Sequence, residues 1–81
     1  MMYEPAKQQI SFVLPDSCSK AELILVQENT LSEYVTIPIA AGEKPYRSVS
    51  VERFSRGTWL AQLNWTLGGH HYCDERMIIV K

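Results

Sequence analysis

Two glycines in tandem, Gly68 and Gly69, separate two runs rich in aromatic and β-branched residues near the end of the chain. The run before them is Arg56-Gly57-Thr58-Trp59-Leu60-Ala61-Gln62-Leu63-Asn64-Trp65-Thr66-Leu67, and the run after them is His70 to Lys81. A two-residue break of this kind predicts a β-hairpin, because the tight primed turns need positive φ and glycine reaches it without strain. Trp59, Ala61, Leu63, Trp65 and Leu67 alternate with Thr58, Leu60, Gln62, Asn64 and Thr66. A period of two sets both tryptophans on one strand face, and that face is expected to be buried. Each indole is then worth roughly 3–5 kcal/mol against truncation to alanine.

The upstream chain reads in the same idiom. Ile10, Phe12 and Leu14 share one face of a first strand, which Pro15-Asp16-Ser17 ends with turn chemistry. Leu23-Ile24-Leu25-Val26 is apolar on both faces, as a central strand would be. Ser19 with Glu22, and Thr30 with Glu33, have the spacing of a helix capping box. Neither is followed by sustained helical periodicity, so strands are expected after both. Glu28 to Glu33 is a polar connection. Val35, Ile37 and Ile39 then alternate with Tyr34, Thr36 and Pro38, and Pro38, which has no amide hydrogen, assigns that strand to an edge. Ala40 to Pro45 reads as a loop, Arg47 to Val51 as another strand, and Glu52 to Arg56 as a connection from which Phe54 reaches the core. Six to seven short strands with turns between them predict an all-β fold, an immunoglobulin-like antiparallel β-sandwich. A small barrel is the alternative.

A chain of 81 residues is enough for one domain, taken as 1–81 with residues 1–7 as a loose lead-in. Hydrophobic residues make up 46%, which argues for a folded rather than a disordered chain. Eight basic and nine acidic residues are dispersed, so there is no basic stripe for nucleic acid and no acidic tail. No apolar segment approaches the ~20 residues that cross a bilayer. Met1 to Pro5 lacks the basic-then-apolar order of a secretory signal. Taken as it stands, the chain is expected to be cytoplasmic, unless a targeting segment precedes it. Cys18 and Cys73 are too few for a disulfide framework and are read as reduced thiols packed as small apolar groups.

Candidate chemistry gathers after the glycine turn. His70, His71 and Cys73 are all competent ligands for zinc or copper. His71 and Cys73, two apart on a strand, face the same way, and Met77 lies further along that face. A third or fourth ligand is missing, so no metal site is assigned. Asp74 and Glu75 face opposite ways and cannot act as an acid/base pair, while Asp74 and Arg76 share a face and are placed to form an ion pair. Asn64-Trp65-Thr66 matches a glycosylation acceptor in mid-strand. No catalytic residue, cofactor site or phosphate loop is recognisable, so the chain is expected not to be an enzyme and to hold no cofactor.

The pattern Arg56-Gly57-Thr58-Trp59, Leu63, Trp65-Thr66, then Gly69, Tyr72, Glu75 and Ile78 resembles the C-terminal half of the FixH family. The strand ending at Leu14-Pro15 and the later Ile37-Pro38-Ile39 fit the same order, and the likeness runs from about Ile10 onward. The resemblance implies the soluble part of a protein whose N-terminal transmembrane helix is missing here, or a free-standing relative. It implies a small domain on the extracytoplasmic, periplasmic face of the inner membrane. It also implies a membrane protein partner, a copper-translocating P-type ATPase or an oxidase subunit, in copper delivery or haem-copper oxidase assembly. The family supplies no catalytic residues to carry over. Two other readings stand beside it: a small copper carrier using His70, His71 and Cys73, and a generic adhesive or carbohydrate-binding module, which exposed indoles would mark.

Overall fold

A computed structural model describes residues 1–15, 18–28, 34–40 and 46–81. Over these residues the chain forms seven strands: β1 (Met2–Glu4), β2 (Gln9–Val13), β3 (Ser19–Gln27), β4 (Tyr34–Ile39), β5 (Tyr46–Ser50), β6 (Gly57–Leu67) and β7 (His70–Val80). They make two antiparallel sheets, one in the order β1-β2-β5 and the other β4-β3-β6-β7. This is the Greek-key arrangement of an immunoglobulin-like sandwich, with the fourth strand moved from the first sheet to the second. The all-β expectation holds. Residues 16, 17, 29–33 and 41–45, on which turn, capping, connection and loop expectations fell, lie outside the described residues.

The tandem glycines make the turn between β6 and β7, with φ of 58° at Gly68 and 81° at Gly69, and Leu67 pairs with His70 across it. Both strands run eleven residues, so one tight turn organises the largest ladder in the molecule. Along β6 the odd-numbered face turns inward. Trp59, Ala61 and Leu63 are buried there against Leu23, Leu25 and Ala21 of β3. From the opposite sheet Ile10, Phe12 and Leu14 close the core, together with Val51 just beyond β5. The capping-like spacing of Ser19 and Glu22 is overridden: both lie in β3, where a bulge between them accompanies a left-handed Lys20 at φ 53°. β4 is an edge strand, as Pro38 required.

Residues 1–7 do not form a loose lead-in throughout. Met2–Glu4 is a strand whose residues pair with Ser11, Ile10 and Gln9. The turn that returns the chain to β2 uses positive φ at Gln8 (51°), and its amides are held by Lys7 N donating to the Glu4 carbonyl and Gln8 N to that of Pro5.

The two tryptophans part company. Trp59 is 1% exposed and its indole N–H donates to the Ser55 carbonyl at 2.9 Å, with Phe54 tilted against it at 5.2 Å. Trp65 is only partly buried and stacks on Tyr72, its cross-strand neighbour, at 5.6 Å and 17°. Near Trp59 the Gln27 amide donates to the Arg56 carbonyl at 3.0 Å. Gly57 has φ of 135°, which other residues rarely adopt, and an added Cβ would also lie 3.0 Å from that amide nitrogen, so a substitution at this entry to β6 is strained. Trp59→Ala is expected to cost about 3–5 kcal/mol in chemical denaturation and Trp65→Ala distinctly less, because the second indole already keeps water on one side.

Candidate functional site

The register of the four-stranded sheet assembles a surface that no single strand announces. Val26 of β3 is paired with Tyr34 of β4 on one side and Leu60 of β6 on the other, and Leu60 is paired with Met77 of β7. These four residues form one row across all four strands on the outer face. Tyr34 is 67% exposed, Met77 50% and Val26 37%, and Leu60 is partly exposed between them. Ile79, opposite Thr58, and Ile24, opposite Thr36 and Gln62, extend the apolar area on the same face. Exposed single apolar residues are ordinary, whereas a contiguous row is a mark of an interaction surface.

Toward the hairpin tip the face becomes polar, through Glu22, Asn64, Cys73, Thr66 and His71. Gln62 donates a hydrogen bond to the carboxylate of Glu75 across the strands. A shallow recess of about 370 Å³ lies there between Lys20, Glu22, Pro38, Thr66 and His71. The glycosylation-type Asn64 also lies on this face, paired with Cys73.

His71 and Cys73 share the outer face as expected, and His70 lies on the other side of the strand. Among the described residues no three His, Cys, Asp or Glu side chains come together as a metal-holding group. Both cysteines are free; Cys18 is buried, in line with a packed thiol, whereas Cys73 is exposed. The Cys73 thiol is pushed above its ordinary value, first by desolvation on the sheet face and then by the negative charges of Glu75 and Asp74. It therefore holds its proton more tightly than an ordinary thiol, which weakens it as a nucleophile and makes metal binding compete harder with the proton. Asp74 does not pair with Arg76. Its carboxylate takes the amino group of Met1 at 3.2 Å instead.

A second recess of about 430 Å³ lies on the three-stranded sheet, with exposed Met2, Val13 and Tyr46 at its rim. Its acidic group, Glu4, is already engaged by the Ser11 hydroxyl at 3.3 Å and by Lys7 at 3.6 Å. Among the described residues no helix is long and apolar enough to cross a membrane. Comparison of the chain with protein-family models, with curated proteins and with solved structures finds no match.

The sequence located the His70-His71-Cys73 group but not the apolar row, since its four members come from four strands and meet only through register. The cysteine environment gives a direct check. Alkylation of Cys73 is expected to need higher pH than a free thiol, and Glu75→Gln should shift its rate profile to lower pH by removing one of the negative charges that hold the proton on.

Proposed function

We propose that this domain is a non-enzymatic binding module that docks a membrane protein partner through the outer face of its four-stranded sheet. The observation that carries the proposal is the row Tyr34–Val26–Leu60–Met77, which spans that sheet from edge to edge in contact with water. An apolar band with Gln62, Glu75 and Glu22 on the same face suits a partner surface with an apolar centre and a polar or basic rim. The FixH-like pattern of the last hairpin names the specific version: an accessory role beside a copper-translocating ATPase or an oxidase subunit, on the periplasmic side of the inner membrane.

The copper-carrier reading draws on His71 and Cys73, which share a face. It is weaker, because His70 points away and the thiol holds its proton. The carbohydrate reading is weaker too. It asks for open flat indoles, and Trp59 is buried while Trp65 has Tyr72 against it.

Deleting the gene is expected to impair assembly of the haem-copper oxidase, and the intact gene to restore it. A Val26→Lys/Leu60→Lys chain should remain folded by circular dichroism yet fail to restore assembly. Oxidase assembly unchanged by the deletion would remove the accessory role. Tight Cu(I) binding by the reduced protein, abolished by Cys73→Ser, would replace it with the carrier.

A further inference from the structure

The two sheets have four edges, and three are blunted. β1 has three residues, β5 has five, and β4 carries Pro38. β7 is different: eleven residues long, without proline, and carrying Met77 and Ile79 (50% and 58% exposed). Among the described residues nothing pairs with its outer edge. Such an edge offers a row of unpaired backbone donors and acceptors to another strand. Its only guard is the charged triplet Asp74-Glu75-Arg76 at mid-strand.

We propose that β7 pairs antiparallel with β7 of a second copy of this chain, in the register centred on Glu75. Two copies related by a two-fold axis through the sheet keep their outer faces on one side only if facing residues have the same parity. The strand runs from His70 to Val80, so its midpoint is Glu75 and this register alone pairs all eleven residues. It sets Asp74 opposite Arg76 twice, once on each side of the axis; the Asp74 carboxylate, which takes the Met1 amino group of its own chain through one oxygen, has its second oxygen to offer Arg76. A register centred on Asp74 would set Asp74 against itself, and one centred on Arg76 would set Arg76 against itself. Both leave like charges facing and opposite charges apart. The Glu75-centred register does bring the two Glu75 side chains together. That contact lies on the water-exposed face, where the Gln62 amide draws each carboxylate back toward its own β6. On the other face Tyr72 meets Ile78, an aromatic–β-branched pair of the kind that favours strand pairing. The charges thus disfavour the two neighbouring registers, and full-length pairing together with the Asp74–Arg76 contacts favours this one, with another copy of β7 as the partner.

Edge pairing needs the backbone of β7 and the Asp74 and Arg76 charges rather than the docking face, with Met77 the one residue common to both, and it is tested by association rather than by oxidase assembly. Sedimentation equilibrium of the full chain at rising concentration is expected to show a monomer–dimer equilibrium. Arg76→Asp, at an exposed position, should weaken association roughly tenfold or more, since it sets like charges opposite at both sites. Asp74→Arg combined with Arg76→Asp should restore it, with circular dichroism showing that all chains fold. Met77→Cys supplies a geometric readout, because residue 77 faces Cys73 of the other copy. With oxidised glutathione taking up the electrons and protons released as each S–S bond forms, this variant should give a disulfide-linked dimer and the unsubstituted chain should not. A chain that stays monomeric, a dimer indifferent to Arg76→Asp, or a Cys73–Cys73 dimer of the unsubstituted chain would each overturn the proposal.

Discussion

The Trp59 indole has to lose water on all sides and still keep its N–H bonded, and one short stretch of chain meets both demands. Val51 to Ser55 turns back on itself, with Phe54 N donating to the Val51 carbonyl, and so delivers the Ser55 carbonyl to the indole and the Phe54 ring to its flank. The segment also joins the two sheets, carrying the chain from β5 to β6. The largest buried side chain is therefore fastened at the crossing point of the sandwich, and the aliphatic rows on either side pack outward from it. Without that anchor the connection would have little to hold it, since its other residues are mostly exposed.

Much of this was legible in the residues. The glycine turn and the two-residue period located β6 and β7, and Pro38 assigned β4 to an edge before any register was known. Other features were not. β1 is three residues long, too short to show a period, and its turn relies on left-handed Gln8 where a glycine or asparagine would have been the visible signal. Trp59 and Trp65 are equivalent by period but not by burial. The facing sheet has three strands against four, and nothing in β6 itself records how far that cover extends. Asp74 and Arg76 share a face, yet the carboxylate finds the Met1 amino group, a neighbour 73 residues away in sequence.

The edge strand shows how one feature serves two ends. Asp74 and Arg76 sit on the core-facing side of β7, beside positions where Ala61 and Leu63 are fully packed on β6. Charges there discourage indiscriminate strand addition. Their order along the strand, acidic then basic about a central residue, is also self-complementary under a two-fold axis. Cys73, on the opposite face, has its thiol pushed up first by desolvation and then by the charges of Glu75 and Asp74.

Strand order has a consequence for how the protein is made. β3 is an inner strand, and its β6 neighbour, Gly57–Leu67, follows it by some thirty residues or more along the chain, so on the ribosome β3 is synthesised well before the strand that will cover one of its sides. Leu23 and Leu25, wholly enclosed at the end, therefore wait through that interval with only β4 available on their own sheet. Pairings this distant in sequence form slowly, and partly made sheets are the species chaperones intercept. The nascent chain is thus most vulnerable in the interval before the tandem glycines emerge and let the last two strands swing in.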